Sequence, residues 1–188
     1  MIDIGCHIGS FSYEAAKRGA SKIFAFEASL ENYKIARENL KEYIDSGVVE
    51  LYHLAVWDFP GVEVTLNTGE TDTLNTGGYS LFKNWWSEAT NEKTLTTTLD
   101  IILRDYIQLQ PVELIKFDCE GSEYKIFYGS KLFDKYVKRV VGETHTGEGI
   151  GTTAELITYF ESKSYKITYT NNSDEAHLGW IDAINIKL

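Results

Sequence analysis

A glycine-rich turn and an acidic residue near the start of the chain have the spacing of a nucleoside-binding site. Asp3 is followed by Gly5 and Gly9, and a helical pattern runs over residues 10–18. Glu27 comes 18 positions after Gly9, at the end of the apolar run 22–26. Glycines allow close backbone approach, and the free N–H groups at a helix start attract negatively charged groups. Because an acidic side chain at the tip of the second strand suits two ribose hydroxyls, the pattern predicts a nucleoside-containing cofactor.

A second group of side chains able to carry chemistry lies in the C-terminal half. Asp118 and Glu120 come where the apolar run 113–118 ends, and Glu143 and His145 come where the run 139–143 ends. Asp118 and Glu120 offer oxygen ligands for a divalent ion such as Mg²⁺. Short acidic pairs also occur by chance, and Glu120 can instead hydrogen-bond backbone amides of the next helix. The second interpretation is favoured, so no metal site is predicted.

Alternating strands and helices must position these side chains. After a short first strand, the patterns predict strands at 22–26, 48–54, 113–118, 139–143, 165–170 and 180–187, and helices at 10–18, 30–44, 124–128 and 152–163. This order predicts a Rossmann-like α/β fold, with a doubly wound, mostly parallel seven-stranded sheet and a closing antiparallel β-hairpin. The carboxyl ends of such strands meet at one edge, where we expect Asp3, Glu27, Ala55, Asp118 and Glu143.

The segment between the third and fourth of these strands has weaker signals. Residues 62–66 alternate like an exposed strand, 94–98 resemble another, and 99–106 resemble a short helix. Residues 67–78 are rich in Thr, Gly and Asn and are predicted to form a loop. Trp85 and Trp86 either stack on a sugar ring or close a core, and both interpretations stay open.

Composition excludes several classes of protein. The 188 residues, 43% of them hydrophobic, are enough for one packed domain. The net charge of −10 argues against a nucleic-acid partner. The absence of a long apolar run and of a signal peptide predicts a cytoplasmic protein without a membrane partner. Cys6 and Cys119 are expected to be reduced, partly buried thiols. The oligomeric state is not predicted.

Four segments, in order, resemble the FkbM-type methyltransferases, which have the class I methyltransferase fold. Residues 2–9 (Ile-Asp-Ile-Gly-Cys-His-Ile-Gly) with Glu27 are similar to the first two cofactor motifs of class I enzymes. The pattern Lys-x-Asp-x-Glu-Gly-x-Glu over residues 116–123 is similar to the family signature. Residues 98–100 (Thr-Leu-Asp) and 142–145 (Gly-Glu-Thr-His) also fit the family pattern.

The resemblance implies an S-adenosylmethionine-dependent O-methyltransferase that acts on a hydroxyl of a sugar or of a natural-product-like small molecule. The residues that it implies around the cofactor are Asp3, Gly5, His7, Gly9, Glu27, Ala55 with Val56, and Asp118. Of these, Asp3 anchors the turn, Glu27 takes the ribose hydroxyls, Ala55 and Val56 flank the adenine, and Asp118 lies beneath the cofactor amine. Substrate is implied to enter between Glu120, His145 and the loop of Tyr79 and Ser80.

Proton removal from the acceptor hydroxyl suggests a further role for His145. A neutral imidazole is a natural base near neutral pH and contributes about 10²–10⁴-fold to a rate. We predict that His145 is this base, that Glu143 orients it, and that Asp118 and Glu143 are positioning acids. Most of the remaining acceleration is expected from in-line placement of the reactants.

Two departures from the family pattern keep other functions open. His7 stands where the family usually carries Asn, and the chain begins at the first strand, without the helical segment that commonly precedes it. We therefore expect a single domain over residues 1–188 that is either minimal or lacks an N-terminal helical segment. The alternatives are a cofactor-binding module without catalysis and an NAD-dependent oxidoreductase. The oxidoreductase is less favoured because the tighter Gly-x-Gly-x-x-Gly turn is missing.

Overall fold

A seven-stranded sheet organises the chain in the computed structural model, which describes residues 1–67, 76–82, 92–147, 149–171 and 178–188. Its strands, together with those of a smaller sheet, are β1 (Ile2–Ile4), β2 (Ile23–Glu27), β3 (Val49–His53), β4 (Ala55–Trp57), β5 (Glu63–Leu66), β6 (Glu92–Thr98), β7 (Ile115–Phe117), β8 (Arg139–His145), β9 (Tyr165–Asn171) and β10 (Leu178–Asn185). The helices are α1 (Ser10–Lys17), α2 (Leu30–Asn39), α3 (Lys41–Asp45), α4 (Leu99–Ile101), α5 (Glu123–Gly129), α6 (Phe133–Tyr136) and α7 (Thr153–Ser162).

The order of the large sheet is β3-β2-β1-β7-β8-β10-β9. β1 lies between β2 and β7 and is parallel to both, so the chain changes direction of winding beside β1. β10 is antiparallel to β8 and to β9, which gives the closing hairpin. The predicted fold, a mostly parallel seven-stranded sheet with an antiparallel hairpin, is confirmed. This winding places a crevice at the carboxyl ends of β1 and β7.

Both faces of the central parallel strands β1, β2 and β7 are covered, which explains why every residue of these strands is buried. On one face, Ile4, Phe26 and Phe117 belong to the larger buried cluster. On the other face, Ala25 packs with Ala36 of α2 in a smaller cluster. α2 begins after Ser29, whose side chain caps it by accepting the N–H of Asn32. No helix among the described residues is long and apolar enough to cross a membrane.

Several element boundaries differ from the predictions. The helix predicted over 30–44 divides into α2 and α3 at Leu40, whose fully buried side chain packs over Gly9. α4 continues as a π-helical stretch over Ile102–Tyr106. β8 extends to His145, two residues beyond its predicted end, because β10 pairs with it as far as Leu178.

The smaller sheet was not predicted as a unit. β4 pairs in parallel with β6, and β5 pairs with β6 antiparallel. The strands predicted at 62–66 and 94–98 are therefore confirmed. β4 was not predicted, because a strand of three residues gives too short a sequence pattern. Most of the loop predicted at 67–78, the pair Trp85 and Trp86, and most of the turn after β9 lie outside the described residues.

Candidate active site

A cavity of about 420 Å³ opens at the carboxyl ends of the central strands. Most residues singled out from the sequence line it: Gly5, His7, Glu27, Ala55, Val56, Tyr79, Asp118, Glu120, Glu143 and His145. Asp3, Gly9 and Ser80 do not belong to its described lining. The motif regions of the N-terminal and C-terminal halves of the sequence therefore form one site.

The glycine turn is shaped by packing within the protein. Gly5 has φ +71°, and a Cβ atom there would lie 1.9 Å from the carbonyl oxygen of Asp118. Gly9 has φ +86°, and a Cβ atom there would lie 2.8 Å from the Leu40 side chain. Gly5 thus lets the turn after β1 lie against the end of β7, and Gly9 lets α1 lie against Leu40. Gly9 supports the cavity without lining it.

Asp3 supports the same turn from beneath. It is the central residue of β1 and is fully buried, so the expectation that it lies at the strand end is wrong. Its Oδ2 accepts a hydrogen bond from Ser12 Oγ (2.6 Å), and its Oδ1 lies 3.4 Å from Lys116 Nζ. Lys116 in turn donates to the carbonyl of Gly5 (2.8 Å) and lies 4.0 Å from Asp118. Asp3 therefore acts on the turn through Lys116.

Glu27 is buried at the tip of β2, as predicted. Its Oε2 accepts the backbone N–H of His7 (2.7 Å), and its Oε1 accepts that of Ser29 (2.9 Å). Burial raises the pKa of Glu27 above its ordinary value, while these two hydrogen bonds oppose the change. Each carboxylate oxygen has further acceptor capacity, which a ribose hydroxyl can use.

Asn32 and His7 both hold the chain segment at Thr76. Asn32 Nδ2 donates to the Thr76 carbonyl (3.0 Å), and His7 Nε2 lies 2.8 Å from Thr76 Oγ1. Asn32 is 2% exposed and lines the cavity, and its Oδ1 has no hydrogen-bond partner within the described ranges. His7 has φ +52°, a backbone conformation in which the asparagine usual at this position is also well tolerated. Asn32 Oδ1 is thus a buried acceptor, without a partner among the described residues, in a residue that lines the cavity.

In the second motif region, Glu120 and Glu123 both contact His145. Nδ1 of His145 lies 2.9 Å from Glu123 Oε1, and its Nε2 lies 3.4 Å from Glu120 Oε2. The His145 side chain is 3% exposed and that of Glu123 is fully buried, whereas that of Glu120 is 19% exposed. Glu120 is therefore the member of this trio that is most open to the cavity.

Opposing effects set the ionisation of His145 and Glu120. Burial by itself lowers the pKa of His145, but the hydrogen bond and charge of Glu123, with the charges of Glu120 and Asp118, raise it to about 9. Burial raises the pKa of Glu120 to about 7, and Asp118, Glu123 and Glu143 add to this effect while His145 opposes it. At neutral pH, Glu120 is therefore closer to its pKa than His145 is.

Asp118, Glu143 and His145 each bring one potential ligand atom within 4.8 Å of the others. Such groupings are common without an ion, and His145 is already engaged by Glu123, so we assign no metal to them. Burial raises the pKa of Asp118, whereas Lys116 lowers it. The positioning roles of Asp118 and Glu143 stay predictions.

Among the residues predicted to meet substrate, Tyr79 and Ser80 differ in position. Tyr79 lines the cavity. Ser80 is 1% exposed, and its Oγ donates to the Glu120 carbonyl (2.7 Å) and accepts the N–H of Phe82 (3.1 Å). Ser80 therefore supports the backbone of Glu120, which has φ +51°.

Sequence reasoning missed three contributors to the site. Glu123 belongs to the signature over residues 116–123, but the signature alone did not predict its contact with His145. Its position at the start of an apolar helix is the sequence feature that could have indicated a buried role. Asn32 lies on α2, the helix after Glu27, and no sequence pattern marked it as a site residue. Leu178, which lines the cavity at the start of β10, lies before the strand predicted at 180–187.

Comparisons with known proteins identify the family of this chain. The family model described as "Methyltransferase FkbM domain" matches residues 3–167. A crystal structure of methyltransferase FkbM from Methylobacillus flagellatus KT has a TM-score of 0.67 at 14% identity, covering 97% of this chain and 42% of that chain. No curated protein matches the chain significantly.

Other solved structures share the fold at similarly low sequence identity. TrmK from M. capricolum, in complex with S-adenosyl-homocysteine, has a TM-score of 0.57 at 13% identity, covering 98% of this chain and 60% of that chain. A putative RNA methyltransferase from Pyrococcus horikoshii has a TM-score of 0.51 at 11% identity, covering 98% of this chain and 72% of that chain. Because the family model spans most of the sequence, from β1 into β9, this chain belongs to the methyltransferase FkbM domain family.

Proposed function

We propose that the chain is an S-adenosylmethionine-dependent O-methyltransferase that acts on a hydroxyl of a sugar or of a natural-product-like small molecule. The observation that carries the proposal is that one cavity is lined both by Glu27, which suits a ribose, and by the Glu120–His145 pair, which can take up a proton. Family membership supports the methyl-transfer chemistry.

The residues present fit an adenosyl cofactor. Glu27 has acceptor capacity for the ribose hydroxyls, and Asn32 Oδ1 is a buried acceptor that lacks a partner among the described residues. Ala55 lines the same cavity and offers an apolar surface for the adenine. Asp118, held near Lys116, is the carboxylate available for the cofactor amine. The cofactor supplies a methyl group on a positively charged sulfur.

The chain's own residues then have two tasks. They hold the acceptor in line with the methyl group, which can account for much of the rate acceleration. They also take the hydroxyl proton, for which Glu120 and His145 are the two candidates at ion-pair distance from each other. Neither task requires a metal ion at Asp118 and Glu120.

Charge favours a small, uncharged acceptor. The net charge of −10 repels a phosphate backbone, and Asp118, Glu120 and Glu143 add negative charge at the cavity itself. Structures of RNA methyltransferases share the fold at low sequence identity, and this likeness is no evidence that the present chain acts on RNA.

Thermal unfolding with separate ligands tests the cofactor. At 100 times its dissociation constant, a ligand stabilises the native state by about 2.7 kcal/mol, which for a chain of this size is a shift of about 5–10 °C. We expect this shift with S-adenosylhomocysteine and none with NAD⁺. A shift with NAD⁺ alone would favour an oxidoreductase and contradict the proposal.

Methyl transfer to a panel of acceptors tests the reaction. We expect methylation of a sugar or polyphenol hydroxyl from S-adenosylmethionine, with no transfer to RNA and no loss in the presence of EDTA. Cofactor binding without turnover on any hydroxyl would favour a non-catalytic module, and transfer to RNA alone would refute the small-molecule acceptor.

A further inference from the structure

We propose that Glu120, rather than His145, accepts the proton of the acceptor hydroxyl, and that Glu123 keeps His145 protonated so that its ring positions the Glu120 carboxylate. The proposal rests on the function proposed above and assigns its proton acceptor. It differs from the expectation drawn from the sequence, in which His145 is the base.

The first step concerns the buried charge of Glu123. Glu123 is fully buried; its Oε1 accepts the N–H of Cys119 (3.2 Å) and faces His145 Nδ1 (2.9 Å). Its Oε2 has no hydrogen-bond partner in the part of the chain that the structure describes. A buried carboxylate is costly unless a positive charge compensates it. His145 is the cation placed to do so, and losing its charge would leave Glu123 uncompensated.

The second step concerns the two ring nitrogens. Because an ionised carboxylate only accepts hydrogen bonds, the Glu123 contact places a proton on Nδ1. Nε2 points to a second carboxylate, Glu120, at 3.4 Å. A ring between two carboxylates is stabilised as the imidazolium, which has no lone pair for a substrate proton. His145 is thus poorly suited to be the base.

The third step concerns the access of Glu120 to the cavity. Its side chain is 19% exposed, while that of His145 is 3% exposed. Its backbone is held at φ +51°, and Ser80 Oγ donates to its carbonyl. Such backbone conformations are uncommon outside glycine and often occur at functional sites. The structure therefore holds the backbone of Glu120 from which its side chain lines the cavity.

The fourth step concerns basicity. The groups that face Glu120 are Asp118, Glu123 and Glu143, which are acidic, and His145, which is positively charged. Burial and the three acids raise the pKa of Glu120 to about 7 despite His145. A carboxylate with such a pKa accepts protons far better than an ordinary glutamate does.

The chemistry balances without a further reactant. The acceptor hydroxyl gives its proton to Glu120, and its oxygen forms a bond to the methyl carbon. The carbon–sulfur bond breaks, and its electron pair stays on sulfur, which becomes neutral. The protonated Glu120 then returns its proton to solvent.

Nitrogen NMR of ¹⁵N-histidine-labelled protein between pH 5 and 10 tests the proposal without an acceptor. A H145Q variant identifies the His145 signals. We expect both ring nitrogens of His145 to carry protons at pH 7.5, with loss of one proton near pH 9. We also expect a smaller shift of these signals near pH 7 that reports the ionisation of Glu120.

Variants separate the two glutamates. E120Q should abolish the shift near pH 7, E120D should retain it, and E123Q should move the deprotonation of His145 down by at least one pH unit. E42Q, a change on the exposed face of α3, should alter none of these signals. A His145 ring that is neutral at pH 7.5, or a shift near pH 7 that persists in E120Q, would overturn the proposal.

Kinetics with an acceptor found in the panel complete the test. E120Q should lower kcat by about 10²–10⁴-fold and remove the fall in rate below pH 7, while the thermal shift with S-adenosylhomocysteine is retained. An E120Q enzyme with normal kcat would refute the role of Glu120 as base. If S-adenosylhomocysteine does not raise the Tm of the unaltered protein, the cofactor proposal is refuted, whatever the NMR result.

Discussion

Replacing Lys116 by methionine should strongly destabilise the protein. Lys116 Nζ lies 3.4 Å from Asp3 Oδ1, and their side chains are 10% and 0% exposed. Without Lys116, the hydrogen bond from Ser12 is the one that the Asp3 carboxylate keeps among the described residues. Breaking a buried ion pair from one side costs about 3–5 kcal/mol. For a chain of this length, K116M should therefore lower Tm by about 6–20 °C.

A surface pair with the same separation supplies the control. Lys125 Nζ lies 3.4 Å from Asp58 Oδ2, but the side chains are 47% and 26% exposed. Because solvent screens such pairs, K125M should cost about 1 kcal/mol or less. Thermal and urea unfolding of both variants measure the difference.

A double variant tests the reason for the loss. D3N/K116M removes the orphaned charge, so it should be more stable than K116M alone. If K116M and K125M were equally mild, or if D3N/K116M were no more stable than K116M, buried charge compensation would be the wrong explanation for this contact.

Three further predictions concern the site. E27Q should weaken S-adenosylhomocysteine binding by about 10–150-fold, since hydrogen bonds to a charged group contribute about 1.5–3 kcal/mol; calorimetry showing unchanged affinity would exclude Glu27 from the ribose site. His145 has a raised pKa, so its stabilising effect should be complete below its unfolded pKa of about 6.5 and lost as pH rises through about 9. This loss is on the order of 3 kcal/mol, and urea unfolding of H145Q should lack it. G5A should reduce stability and cofactor affinity together, because its Cβ would lie 1.9 Å from the Asp118 carbonyl and force β1 and β7 apart; a normal Tm would contradict that contact.

The positions of the residues proposed to hold the cofactor could be predicted from the sequence. Gly5, Glu27 and Asp118 carry local signals, because a turn, a strand tip and an acid after an apolar run are each visible within a few residues. Parallel winding then brings these positions to one edge. Their placement in one cavity follows from the order of elements and confirms the predicted fold.

The contacts of Glu120 and His145, which are proposed to handle the proton, could not be predicted in the same way. Whether His145 is neutral depends on Glu123, 22 positions earlier and on another element. The family resemblance implied a substrate contact at Ser80, but Ser80 is buried and its Oγ donates to the Glu120 carbonyl. Burial and partner choice are tertiary properties, so local pattern carried little information about them.

The pairing of β1 also affects how the protein must fold during synthesis. Ile2 pairs with Ile115, so one neighbour of β1 is made 113 residues after it. At about 5–20 residues per second, β1 has only β2 beside it in this sheet for roughly 6–23 s. Its other edge, composed of Ile2, Asp3 and Ile4, stays unpaired for that time and can pair with other chains. Slow translation before β7 should therefore increase aggregation, whereas slow translation after β8 should not.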